Sequence, residues 1–161
     1  MSRRNLRRRS PARRKGVLGL TALAGVTVDP ELVRTGDHHY QYQFAYESAL
    51  EAASELLSLP DRPSAIFATS DTQAMGVLTA ADRHGIAVPG QLSVIGFDDI
   101  ESAALLGLST VHQPLTESGA CGARRLCALI RGQLVRPLRE ELPLTLVART
   151  SSAMYAVAGA A

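Results

Sequence analysis

Ser64-Ala65-Ile66-Phe67-Ala68-Thr69-Ser70-Asp71 and Leu92-Ser93-Val94-Ile95-Gly96-Phe97-Asp98-Asp99 bracket the segment that decides the fold. Ala65–Ala68 and Ser93–Phe97 are short apolar runs, as expected of strands buried on both faces, and each run is followed by polar and acidic residues. The segment between them predicts a helix over Thr72–His84. Ser70 with Gln73 three positions later is a capping box at its start, and His84 followed by Gly85 is a C-terminal signature. Val88-Pro89-Gly90 then turns the chain. A strand, a helix and a strand in so short a span form a βαβ unit, so the two strands are expected to run parallel.

Outward from this unit the pattern stays α/β. Tyr46–Leu59 reads as an amphipathic helix, with Glu47, Glu51 and Glu55 on one face and Leu50, Ala53 and Leu57 on another. Like charges at that spacing suit a solvated face. Pro60-Asp61-Arg62-Pro63 breaks the chain before the first strand, and Gly36–Gln43 reads as a loop. Upstream, Gly16–Ala24 is Leu- and Ala-rich and could form a short helix stopped by Gly25, with a turn at Asp29-Pro30. Downstream, Ser102–Leu106 is a short helix or turn and Thr110–Gln113 is extended. Pro114 opens a helix that runs to Arg131 and is stopped by Gly132. Leu142–Arg149 reads as a last strand and Met154–Ala161 as a small-residue tail.

Composition narrows the function classes. The chain has 161 residues, 46% hydrophobic and 20% charged, which allows one ordinary domain or half of a two-lobed one. Aromatic residues are 4% and Trp is absent, so aliphatic side chains and alanine must build the core. No run approaches the roughly 18 consecutive apolar residues of a membrane helix. No dinucleotide-binding or P-loop motif is present, and Lys15 is the only lysine, so no cofactor is expected. His38-His39, His84 and His112 lack metal-ligand spacing. Cys121 and Cys127, six apart on one predicted helix, point to different faces; they read as small buried hydrophobes rather than a disulfide.

The charge is unevenly placed. Eight of the 17 basic residues lie within residues 1–15, which hold no acid; the nine others face 15 acids, a formal charge of −6 over the rest of the chain. A basic body for nucleic acid is therefore not indicated. The basic stretch itself allows three readings. It can be a solvated tail or a nucleic-acid arm. It can also be an export signal, with Arg3-Arg4 as a twin-arginine element, Val17–Val28 as its apolar run and Ala22-Leu23-Ala24 as a cleavage site.

Chemistry concentrates where the two strands end. Ser70 and Asp71 follow the first, Asp98 and Asp99 the second, and ligands of open parallel sheets bind beyond the carboxyl ends of strands. Carboxylates there can each take two adjacent hydroxyls, which suits sugars. The alternative is that Ser70 or Asp71 only caps the helix and Asp98-Asp99 only turns the chain. Two carboxylates could also be an acid–base pair or hold a divalent cation, but binding without catalysis is the expected role.

Three clusters resemble the lactose-repressor/galactose-repressor (LacI/GalR) regulators. They are Ser64–Asp71 with Ala74 and Gly76, Val88-Pro89 with Leu92–Ile100, and Thr110-Val111-His112-Gln113-Pro114 with Gly119. The likeness extends to Leu146-Val147-Ala148-Arg149 and back through Val28–Val33 to Arg13, and in that reading Val17–Ala24 is a core helix rather than a signal. The resemblance implies a partial periplasmic-binding-protein-like effector domain of type I over residues 13–152, after a basic arm at 1–12 and before a tail at 153–161. It implies a sugar or related effector held by Arg13, Ser70, Asp98 and Gln113, to which the strand-end reading adds Asp71. Phe44 is offered as a stacking ring, although His38-His39-Tyr40 leaves the choice of ring open. It also implies a cytoplasmic, non-enzymatic protein that reaches DNA through an N-terminal reader absent from these residues, and that forms a homodimer when whole. An exported sugar-binding protein of a transporter is the alternative, and a sugar-processing enzyme a more remote one. The chain is expected to be the later part of a larger regulator, from a truncated or mis-started gene. Its Pro114–Arg131 helix would then have little to pack against, and the fragment would be marginally stable or self-associating.

Overall fold

Leu92 and Val94 are fully buried, the first just before and the second within an inner strand of a four-stranded sheet. The computed structural model describes residues 25, 28–34, 42–133, 136–137 and 139–154, and the side chains within it from residue 44 onward in the first helix. The proposed helix or signal at 17–24, Arg13 and His38–Tyr40 lie outside the described residues.

Strands β1 (Ala65–Phe67), β2 (Ser93–Asp98), β3 (Ser109–His112) and β4 (Thr145–Val147) lie in the order β1-β2-β3-β4. β1, β2 and β3 run parallel and β4 closes antiparallel on β3. The helices are α1 (Tyr42–Leu57), α2 (Asp71–Arg83), α3 (Glu101–Leu105) and α4 (Leu115–Ile130), with a short 3-10 turn at Pro30–Leu32. The parallel β1–α2–β2 unit is the one the sequence predicts, and the mostly parallel sheet with flanking helices is an α/β fold.

Two boundaries differ from expectation. α1 starts at Tyr42, inside the polar and aromatic stretch that reads as loop, because no glycine or proline between Tyr42 and Leu57 stops a helix from extending backwards. The last strand is only Thr145–Val147. Pro143 has no N–H for a ladder, and from Arg149 the chain is engaged elsewhere, as described below.

The core is aliphatic and alanine-rich, as the composition requires. Ala53 and Leu57 of α1, Ala74, Val77, Ala80 and Ala81 of α2, and Leu92, Val94 and Leu108 form one cluster. Small residues let the elements come close. At Gly76 an added Cβ would lie 2.6 Å from the Tyr46 carbonyl oxygen and 2.9 Å from the Leu50 nitrogen, so α1 backbone crosses directly over it. The Tyr46 hydroxyl donates to Thr79 Oγ1 at 2.9 Å and fixes the crossing. Gly76→Ala is expected to cost about 2–3 kcal/mol, since backbone cannot yield as a side chain can. At the usual size scaling that lowers Tm by about 5–10 °C; an unchanged melting curve by circular dichroism would refute the close crossing.

α2 ends as predicted. His84 is its C-cap and Gly85, at φ 65°, donates to the Asp82 carbonyl oxygen at 3.0 Å. α4 is the exception in packing. None of its residues is buried, and Leu115, Leu126, Leu129 and Ile130 are all more than half exposed. The cysteines depart from expectation: Cys127 is exposed and Cys121 half-buried, both as free thiols, because the helix carrying them faces solvent instead of a core.

Candidate functional site

The first strand-end position is Ser70. It is extended (φ −153°) and caps α2, its Oγ accepting the Gln73 N–H at 3.3 Å. The Gln73 side-chain oxygen accepts the Thr69 hydroxyl at 2.7 Å, so the box closes on the loop ahead of the cap. Capping uses one lone pair of the Ser70 hydroxyl, and its O–H proton is still available to a ligand.

Asp71 has a different place from the one its position in the sequence implied. It is the first residue of α2, not its cap, and it is fully buried. Its Oδ1 accepts the Thr110 hydroxyl at 2.5 Å and its Oδ2 accepts the Ile100 N–H at 2.9 Å. Both oxygens are engaged by the chain's own donors. Asp71 therefore ties α2 to β3 and to the turn after β2. Gly96 makes room for it: a Cβ there would sit 2.2 Å from Asp71 Oδ1.

Asp98 ends β2 with φ 119°, and Asp99 follows with φ 57°. Two successive non-glycine residues at positive φ cost on the order of 1–3 kcal/mol each and persist only where their surroundings hold them. Asp98 Oδ1 accepts from Gln113 Nε2 at 2.5 Å, so the ends of β2 and β3 are joined by two residues expected to meet a ligand.

Asp99 faces a second set of partners. Arg149 Nη2 donates to its Oδ1 at 2.8 Å, and His112 Nδ1 lies 2.9 Å from its Oδ2. The Arg149 bond holds the Asp99 carboxyl below its ordinary range, against the opposing pull of burial and with His112 adding to the effect. Arg149 and His112 escape a sequence reading of the site, because only the folded chain brings residue 149 to the end of β2. Arg149 stands out in the sequence only as part of the resemblance at its far end.

Gln113 also borders a groove of about 340 Å³ between α4 and residues 140–144, lined by Leu115, Ser118, Cys121, Arg125 and Glu140. Glu140 accepts from Arg125 at 2.7 Å and from the Cys121 thiol at 3.0 Å, and that carboxylate pushes the thiol pKa up, away from reactive thiolate. Phe44 is half exposed in the first turn of α1, the helix that packs on α2. Of the expected site residues, then, Asp98 and Gln113 are in direct contact, Ser70 stands at the neighbouring strand end, Asp71 is buried, and Arg13 is outside the described residues. Among the described residues there is no cluster of three or more His, Cys, Asp or Glu that could hold a metal ion. No described helix is long and apolar enough to cross a membrane.

A four-stranded, mostly parallel sheet with polar side chains gathered beyond its carboxyl edge is the architecture of a ligand-binding α/β lobe. The family of periplasmic binding protein-like domains matches residues 2–152, a span that begins within the basic stretch. The HTH-type transcriptional repressor CytR of Escherichia coli K12 is 36% identical over 125 residues, 76% of this chain and 35% of that protein. A LacI-family regulatory protein of Chloroflexus aggregans superposes with a TM-score of 0.78 at 28% identity, over 88% of this chain and 50% of that one. A LacI-family regulator of Lactobacillus casei, solved with bound sucrose, gives 0.71 at 27% identity, over 88% of this chain and 51% of that one. The chain belongs to the LacI/GalR family of regulators and carries their periplasmic-binding-protein-like effector domain. It spans about a third of the length of the curated relatives it matches.

Proposed function

We propose that this chain is the effector-binding portion of a LacI-type transcriptional regulator, that it takes a sugar or related polyhydroxylated molecule, and that it binds without catalysing a reaction. The observation that carries this is the Asp98–Gln113 pair, held at 2.5 Å across the carboxyl edge of the sheet. It combines a carboxylate acceptor with an amide that can both donate and accept, the mixture that adjacent hydroxyls require. The reading is supported by the family and by the sucrose-bound relative of the same fold. Ser70, Asp98 and Gln113 form this half of the binding set, with Arg13 and Phe44 as further contacts. Residues 13–152 constitute the effector unit, between a basic arm at 1–12 and a tail at 153–161. In the whole regulator the protein works in the cytoplasm as a homodimer, and DNA is contacted by an N-terminal reader. Effector binding shifts the relative arrangement of the lobes.

Calorimetric titration of the chain with glucose, ribose, sucrose and adenosine tests the reading. Saturable heat with at least one of them, absent with a polyol-free control such as betaine, is the expected result. Equal responses to all five, or none to any, would remove the support for effector binding by this chain.

A further inference from the structure

We propose that Arg149 is a positioning residue for effector recognition: through Asp99, it sets the direction of Asp98. The inference rests on the reading of Asp98 as an effector contact. Arg149 is anchored at its base. Its backbone N–H donates to Ser109 Oγ at 2.8 Å, and its carbonyl oxygen accepts from the same hydroxyl at 3.1 Å, at the buried first residue of β3. Its guanidinium then bridges two elements: Nη1 donates to the Leu108 carbonyl oxygen at 2.7 Å, just before β3, and Nη2 to Asp99 Oδ1 at 2.8 Å, just after β2. A planar fork with fixed donor directions fits such a bridge better than an ammonium does.

The consequence is transmitted along the β2–β3 register. Asp98 is paired with His112 in the ladder. The next residue on each strand makes the second contact, so Asp98 meets Gln113 while Asp99 meets His112. These two crossed side-chain pairs span a turn whose two residues both sit at positive φ. Nothing in the intrinsic preference of aspartate holds two such residues in succession. Asp71 holds the far side of the turn through the Ile100 N–H, and the Asp99 carboxylate, gripped by Arg149 on one oxygen and His112 on the other, restrains the turn itself, so that the direction of Asp98 depends on it. Arg149 itself adds little to the apolar core, which is built from other residues. Its removal should therefore alter the site more than the fold.

The side-chain amide of Gln113 reports the geometry without any ligand. In a ¹⁵N-labelled sample of the full chain, its NH₂ pair is assigned by its disappearance in Gln113→Leu. Arg149→Met is expected to move this pair from its hydrogen-bonded position to that of a solvated glutamine, and Arg149→Lys to retain part of the shift. A folded Arg149→Met with the Gln113 pair unmoved overturns the proposal. Should Arg149→Met not fold, Arg149→Lys and Asp99→Asn serve in its place, because each weakens the bridge at nearly constant volume; a parent-like Gln113 pair in both would be equally decisive against it. For a sugar that the parent binds, Arg149→Met should weaken affinity by about tenfold or more, the scale of lost preorganisation. If the parent binds no sugar but its Gln113 pair still responds to Arg149→Met, the effector reading fails and the positioning role stands. If the parent binds and the Gln113 pair is indifferent to residue 149, the positioning role fails alone.

Discussion

Asp71→Ala is expected to be strongly destabilising, lowering unfolding free energy by about 3–5 kcal/mol out of the 5–15 typical of a domain. The loss is not that of a surface carboxylate. Asp71 is fully buried, and its removal strands the Thr110 hydroxyl at 2.5 Å and the Ile100 N–H at 2.9 Å. Each buried donor left without an acceptor costs about 1–3 kcal/mol, and the space vacated adds a packing term. Asp71→Asn should be milder, because one amide oxygen can keep Ile100 while the NH₂ group turns to Thr110, whose hydroxyl can accept as well as donate. Gly96→Ala should approach the alanine variant from the other side, since its methyl group would occupy the place of Asp71 Oδ1. Urea titration followed at 222 nm ranks the variants. An Asp71→Ala midpoint within experimental scatter of the parent would show that the buried carboxylate holds nothing together.

The part of the fold legible in the sequence is the part with local causes. The β1–α2–β2 unit was readable because short apolar runs, a Ser cap with Gln three residues later, and a His-Gly stop are each explained within a few residues. The start of α1 was not readable, since the residues from Tyr42 carry no stop signal and only their packing on α2 tells helix from loop. The site divides in the same way. Asp98 stands out because it ends a buried strand, whereas Gln113 stands out only through the family resemblance, and the fold brings the two into contact. Asp71 carried the same local signal as Asp98, a carboxylate just past a strand, yet it turns inward. What separates them is Thr110, 39 residues away, and the absence of a side chain at Gly96. Arg149 is the extreme case: it reaches Asp99 across 50 residues of sequence, and no spacing rule connects them.

Asp98→Asn is expected to have the largest effect on effector affinity, weakening the binding of a sugar by about 10–100-fold, the equivalent of losing a charge-assisted hydrogen bond worth about 1.5–3 kcal/mol. The substitution keeps the shape of the turn and the Gln113 contact. Asparagine tolerates positive φ as aspartate does, so the turn at φ 119° is not further strained. Its amide oxygen can still accept from Gln113 Nε2, so the bond across the ends of β2 and β3 is kept. What changes is the capacity to accept: a carboxylate takes hydroxyl donors on both oxygens, whereas an amide offers one oxygen and presents an N–H₂ group in place of the other. A vicinal diol aimed at Asp98 would meet a donor where it needs an acceptor, and that mismatch is the source of the penalty. Alanine would confound the experiment, because it removes the Gln113 contact and sits poorly at positive φ, mixing loss of binding with loss of shape. Calorimetric titration of the parent and of Asp98→Asn with the same sugar, alongside matched melting curves, separates the two. An affinity unchanged within twofold, at equal Tm, would place the effector's hydroxyls on another acceptor and move the recognition site away from the end of β2.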